Sequence, residues 1–210
     1  MQSHLAQPLF QSPAAPVFAN LGCGRRGGAR LPAVFAGWRE LRVDVDEAVE
    51  PDVVADLTDL SAIASDSVQG VWSSHCLEHL YRHQIGQALA EMRRVLSPDG
   101  FLCLVVPDLQ SIAGFIAQDR MHEPIYTSPA GPITPHDVVF GFGAAIARGD
   151  VFMAHRCGFT PSGFAQALGA AGFGEFVVLR RPNFELATVA HKSGWASAAE
   201  RDGLIAELGL

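Results

Sequence analysis

The chain has 210 residues, a formal net charge of -7, 49% hydrophobic residues and 18% charged ones. That length suits one domain with extensions, and so much apolar side chain fills a sizeable core. The acidic balance argues against nucleic acid as the main partner, since phosphate contacts need a basic surface, and no apolar run is long enough to span a bilayer.

The start, "MQSHLAQPLFQSPAAP", lacks the basic and apolar stretches of a signal peptide and reads as a mobile leader over residues 1–16. "PVFANLGCG" follows, a short apolar run ending in glycines, as a buried first strand does. "RLPAVFAGW" reads as a short helix with Pro32 in its first turn. "ELRVDVD" and "PDVVADL" are a second and a very short third strand, joined by "EAVE", too little chain for a crossover helix. "DSVQGVWSSH" is a fourth strand. In "CLEHLYRHQIGQALAEMRRVL", Leu77, Leu80, Ile85, Leu89, Met92 and Leu96 recur at helical spacing, and Ser97–Gly100 stop the helix. "FLCLVVP" is a continuous apolar run, as a central parallel strand requires. This order points to an α/β sheet with ligands at the carboxyl ends of its strands.

Beyond it, "DLQSIAGFIAQDRM" reads as helical and "HEPIYTSPAGPITPHD", with four prolines, as an irregular insertion. "VVFGFGAAIARGD" reads as another helix. "TPSGFAQALGAAGF" carries Thr160 as cap, Pro161 at the first position and Gly172 after the end. "EFVVLRR" and "FELATVAHK" alternate around Pro182 and Asn183 as an antiparallel hairpin. Residues 192–210 form a tail that closes with a helix. Cys23, Cys76, Cys103 and Cys157 are widely spaced, with no C-x-x-C, and read as reduced, mostly buried thiols of a cytoplasmic protein.

Chemistry first surfaces at Gly22, Gly24 and Gly27, a G-x-G-x-x-G with Asp44 about twenty residues on. Such glycines let backbone approach a ligand, and an acid ending the next strand accepts ribose hydroxyls. Asp46 is the fallback for Asp44. The loop alone does not separate a dinucleotide from S-adenosylmethionine. Arg25, Arg26 and Arg30 add a local basic patch.

Downstream, "LGCG" at 21–24, "VDVD" at 43–46, "VADLTDL" at 54–60, "VWSSHCLEHL" at 71–80 and "EMRRVLSPDGFLCLVVPDL" at 91–109 occur in that order. The succession resembles class I S-adenosylmethionine-dependent methyltransferases of the small-molecule, "LEHL" type, over roughly residues 17–190. The resemblance implies a Rossmann-like, seven-stranded, mostly parallel sheet with a C-terminal antiparallel hairpin, over residues 17–191. It implies S-adenosylmethionine as cofactor. Asn20, Gly22 and Gly24 would line its methionine end, Asp44 and Val45 its ribose, and Asp56 and Leu57 its adenine. Ser73, Ser74 and His75, ending strand four, would face cofactor and substrate. The acceptor, a small molecule or biosynthetic intermediate, would bind over strands four and five, beneath residues 121–150. Two positions depart from the pattern: Asn20 stands where the family has an acid, and Arg26 where it has a third glycine. Arg26 would either crowd the cofactor or point outward to an anionic substrate.

"HCLEH" at 75–79 also fits the inverted zinc-protease motif H-x-x-E-H. That reading needs both rings on one helix, and His75 ends a strand. No metal is expected; His79 and Glu78 would satisfy local hydrogen bonds, with Glu78 paired to Arg82. His75 and His155 are the candidate catalytic groups, suited to taking an acceptor's proton near neutral pH. His122 and His136 flank the insertion as lid or surface residues, and Trp38 and Trp72 read as core. The rival functions are a non-catalytic binding protein on the same fold, resting on Asn20 and Arg26, and a nicotinamide oxidoreductase. Oligomeric state is not encoded in any pattern here.

Overall fold

The structure, a computed structural model, describes residues 15–27 and 31–209. The leader expected over 1–16 lies outside the described residues except for Ala15 and Pro16, and so does Arg30 of the basic patch. The apolar runs become β1 (Val17–Leu21), β2 (Arg39–Asp44), β3 (Val53–Val54), β4 (Val68–Ser74) and β5 (Leu96–Pro107). After them come β6 (Tyr126–Ser128), β7 (Gly131–Ile133), β8 (Glu175–Arg181) and β9 (Glu185–His191). The helices are α1 (Ile85–Val95), α2 (Leu109–Ile116), α3 (Pro135–Phe140), α4 (Gly143–Ile146), α5 (Pro161–Ala170) and α6 (Ala198–Leu208).

Seven strands form one sheet in the order β3-β2-β1-β4-β5-β9-β8, and β6 and β7 pair separately. Within the large sheet only β9 runs against its neighbours β5 and β8. This is the expected α/β, Rossmann-like architecture with an antiparallel hairpin at the end. The chain reverses its direction of travel between β1 and β4, where such sheets open a crevice for ligands.

Period-two alternation assigns the two faces. Leu21, Val71, Leu102 and Leu104 face one side and pack with Leu89 and Met92 of α1 and Phe164 and Leu168 of α5. Phe18, Trp72, Cys103 and Val105 face the other, with Phe35, Trp38 and, from α6, Leu208. Trp38 and Trp72 are thus core residues, as expected. Thr160 caps α5 by accepting from the Gly163 N–H, Pro161 follows it, and Gly172 sits just past the end at φ 89°.

Five segments differ from the sequence reading. The helix after the glycine loop is a single 3-10 turn, Ala33–Phe35. The helix expected from Cys76 begins only at Ile85, after 3-10 turns at Leu77–His79 and Arg82–Gln84. His75 is left-handed at φ 55°, and Leu80 and Tyr81 are extended, so no continuous helix can pass. Leu77 and Leu80 are nonetheless buried with α1, which is why their spacing looked helical. Ser97–Gly100 ends α1 but lies inside β5, where the partner of β4 jumps from Leu96 to Phe101. In the insertion, the proline-rich stretch holds the β6–β7 hairpin. The helix expected over 138–150 is split into α3 and α4 at Gly141, whose φ is 95° and where a Cβ would strike the Met153 carbonyl.

An aromatic cluster packs over β1, β4 and β5. Phe35 stacks on Phe18 at 4.2 Å and on Phe101 at 5.8 Å, with Trp38 edge-on at 5.6 Å. Phe35→Ala should cost about 3–5 kcal/mol in urea unfolding; a loss below about 1 kcal/mol, the size of an ordinary substitution, would contradict this packing.

Candidate active site

The crevice at the carboxyl ends of β1, β2 and β4 is built on Asp44. Its carboxylate accepts the Gly24 N–H at 2.9 Å on Oδ2 and the Asp46 N–H at 3.0 Å on Oδ1. An ionised carboxylate has about four acceptor positions, so room for two more donors remains. Beneath the loop lies a residue the sequence reading passed over. Arg42, 3% exposed, donates to the carbonyls of Gly24 and Glu50, the latter at 2.7 Å. It ties the glycine loop to the loop after β2. Gly22 has φ 71° and no room for a side chain, because a Cβ there would meet the Cys76 sulfur. Asp46 is occupied in accepting the Ala48 N–H.

Gly22, Gly24, Asp44, Val45, Asp56 and Leu57 line one cleft of about 300 Å³, with His79, Met153 and Phe152 on its far wall. Asp56 accepts from the Thr58 N–H and hydroxyl through Oδ1. Asn20 and Ser74 instead line a neighbouring cleft of about 350 Å³ with Arg25, Arg26 and Glu40. Asn20 donates to Glu40 at 2.7 Å. Arg26 is exposed and faces that second cleft, away from Asp44. Ser73 is buried and donates to the Leu21 carbonyl, so it faces the sheet rather than either cleft.

A third cavity, about 330 Å³, lies beneath the insertion. His75, His79 and Pro107 form its floor, Tyr126 and Val138 line its insertion side, and His155 and Glu185 also face it. It shares His79 and Met153 with the Asp44 cleft. His122 and His136 are outside it, their rings 5.4 Å apart.

His75 and His155 therefore face one cavity but differ in charge. His75 sits between two carboxylates, Nε2 at 3.1 Å from Glu185 and Nδ1 at 3.3 Å from Glu78. Burial works against its charge, but Glu185 and then Glu78 outweigh it and raise the imidazole to about 10. At neutral pH it is a cation with no lone pair. His155 goes the other way: burial dominates, over the opposing Glu78 charge, and holds it below its ordinary value. Its Nδ1 is 2.8 Å from the Val138 carbonyl, which can only accept, so the proton is on Nδ1 and Nε2 keeps its lone pair. Glu78 does not pair with Arg82. It is 0% exposed and faces His75. Burial would raise its carboxyl; His75 and then His79 outweigh that and hold it low. Glu185, from β9, is the partner the sequence reading missed.

The four cysteines are free, but only Cys103 is fully buried. Burial pushes the Cys76 thiol up to about 12 and that of Cys157 up to about 11, so neither is a nucleophile at neutral pH. The raised folded value of His75 fixes a sign: its contribution to stability is fully present below about pH 6.5 and lost as pH rises through about 10. Glu185→Gln should bring the His75 proton resonance down to titrate nearer 6.5 and narrow the stability gap to wild type on going from pH 7 to pH 10. A wild-type His75 already titrating near 6.5 would contradict the two-carboxylate account.

Residues 19–104 match the family model of a methyltransferase domain. No curated protein matches the chain. Among solved structures, a S-adenosylmethionine-dependent methyltransferase from Methanosarcina mazei aligns at 16% identity and TM-score 0.55, over 86% of this chain and 93% of that one. The 1,6-didemethyltoxoflavin-N1-methyltransferase of Burkholderia thailandensis, solved with its substrate and S-adenosylhomocysteine, aligns at 19% identity and TM-score 0.50, over 86% of this chain and 72% of its own. A candidate exported protein from Bordetella parapertussis aligns at 15% identity and TM-score 0.53, covering 86% of this chain, which spans 63% of that protein. At such identities these likenesses speak for the fold. Joined to the methyltransferase-domain match over β1–β5, they give the chain the Rossmann-like fold of S-adenosylmethionine-dependent methyltransferases, with a methyltransferase domain matched over residues 19–104.

Proposed function

We propose that the chain transfers a methyl group from S-adenosylmethionine to a small-molecule or biosynthetic-intermediate acceptor held beneath residues 121–150. One observation carries this reading: the Asp44 cleft and the cavity under the insertion meet at His79 and Met153. Two ligands there would lie side by side, which is what an in-line displacement needs.

The residues fit the cofactor. Asp44 retains free acceptor positions for two ribose hydroxyls, and Val45 and Leu57 give the adenine apolar walls. Gly22 and Gly24 keep the loop low, and Arg26, turned to the neighbouring cleft, leaves the Asp44 cleft clear. Asn20 and Ser74, on that neighbouring cleft, border the methionine end. When bound, S-adenosylmethionine supplies an electrophilic methyl group. The protein's part is to align the acceptor and take its proton. Neutral His155 has the lone pair for that proton. Cationic His75 holds Glu185 and Glu78 in place, and two carboxylates around one cation disfavour an anionic acceptor. His75 is thus a positioning residue in this reading, not the base.

The alternative, a non-catalytic binding protein, rests on Asn20 and Arg26, which line one cleft. Free thiols at all four cysteines support a cytoplasmic setting, and among the described residues no helix is long and apolar enough to cross a membrane.

Calorimetry should show binding of S-adenosylmethionine and not of NAD⁺; the reverse would overturn the proposal. Asp44→Ala should weaken S-adenosylmethionine binding by about tenfold or more, the worth of a charge-assisted hydrogen bond. Unchanged affinity would remove Asp44 from the ribose.

A further inference from the structure

Where the two clefts meet, Glu78, His79 and His155 each offer a ligand atom, and the three atoms lie within 4.8 Å of one another. The set is not the H-x-x-E-H motif of the sequence. His75 has been turned out of it, and His155 arrives from a segment 76 residues after His79 in the chain. We propose that these three residues form a divalent transition-metal site on the wall of the acceptor cavity.

Three independent features support it. The first is the histidine tautomer. His79 Nδ1 lies 3.1 Å from the Ala154 carbonyl and His155 Nδ1 lies 2.8 Å from the Val138 carbonyl. Each carbonyl can only accept, so each Nδ1 carries a proton. With Nδ1–H held by the backbone, the neutral ring presents Nε2 as donor, the arrangement that orients histidine toward a metal.

The second is the state of Glu78. Its side chain is 1% exposed, and neither carboxylate oxygen has a hydrogen-bond partner among the described residues. The 3.3 Å contact from His75 Nδ1 to Oε1 is an ion pair without the alignment of a hydrogen bond. A buried carboxylate with an ion-pair partner but no hydrogen bond is still costly, and a bound ion would satisfy its open oxygens. The third is place. His79 and His155 both line the acceptor cavity, so a cation on three protein ligands would keep its remaining positions open toward the acceptor.

Two imidazoles and one carboxylate make a borderline donor set, suited to zinc, iron(II), cobalt(II) or manganese(II) rather than to calcium or magnesium. The open positions would take an oxygen-donor acceptor: a phenol, an enol or a vicinal diol. A hydroxyl bound to the cation loses its proton more readily than a free one. With metal bound, the His155 lone pair is engaged as a ligand, and the proton leaves from the coordinated hydroxyl to solvent. This part rests on the methyl-transfer reading; the metal site itself does not.

Cobalt(II) is the probe. Protein stripped with chelator is titrated with cobalt(II), and visible absorption and calorimetry are recorded. Wild type should bind one equivalent with visible d–d bands. His155→Ala, His79→Ala and Glu78→Gln should each weaken binding about tenfold or more. His136→Ala, which alters the separate His122–His136 pair, should leave it unchanged. Far-ultraviolet circular dichroism guards against misfolding, and His155→Gln serves if His155→Ala fails to fold. Absence of stoichiometric binding by wild type, binding undiminished in a folded His155 variant, or binding lost in His136→Ala would each overturn the site. S-adenosylmethionine affinity measured on the stripped protein separates the two proposals. If cobalt binds but the cofactor does not, the metal site stands and the methyl-transfer reading falls. If the cofactor binds but cobalt does not, the metal site falls and the methyl-transfer reading stands.

Discussion

A fully buried carboxylate, Glu78, is the constraint around which this site is arranged. Removing such a group from water costs several kcal/mol unless charge and hydrogen bonds replace the lost hydration. His75 supplies the charge, and it can do so only because its backbone takes a left-handed turn at φ 55° just beyond β4. The backbone carbonyl of the same Glu78 accepts the N–H groups of Arg156 at 2.7 Å and Cys157 at 3.1 Å. One residue therefore binds the end of β4 to the segment that carries His155. Strain at His75 is of the kind that persists at functional sites, where the surroundings over-determine it.

The cofactor side is held by different means. In many α/β sheets the helix after the first strand offers its N-terminal amides to the ligand. Here that helix is one 3-10 turn, Ala33–Phe35, with no dipole to speak of. The glycine loop is instead gripped from below by Arg42 on the Gly24 carbonyl and from the side by Asp44 on the Gly24 N–H. Both come from β2, so the loop and the strand end that would meet the ribose are positioned as one piece. The insertion over the other cavity is similarly tied: Gly141, at the α3–α4 break, bridges Ala154 and lies close against the Met153 carbonyl.

The sheet was legible because parallel, doubly covered strands write continuous apolar runs, and "FLCLVVP" and "VFANL" are such runs. Glycines and an acid at strand ends marked Gly22, Gly24 and Asp44, the family resemblance added Val45, Asp56 and Leu57, and all six line one cleft. The segment 76–96 misled, because burial on a common core imposes a helix-like spacing on Leu77, Leu80 and Ile85 even where the backbone is two 3-10 turns. The Glu78–Arg82 pair failed for the same reason: an i, i+4 contact presumes an α-helix. Glu185 and Arg42 left no local trace. The first meets His75 across 110 residues of chain through the β5–β9 register, and a buried arginine on a strand looks like any exposed one. His155 was singled out by its chemistry, but its neighbours His79 and Glu78 are known only from the fold.

Two adjoining clefts, one walled by Asp44 and one by three histidines, are where the proposed cofactor and acceptor would meet. A crystal structure with S-adenosylhomocysteine would test this most directly. The account predicts the ribose hydroxyls on Asp44, the adenine between Val45 and Leu57, and the sulfur at the junction beside His79 and Met153. A cofactor whose ribose and adenine lie in the Arg25–Arg26 cleft, with Asp44 bonded only to the backbone, would contradict it.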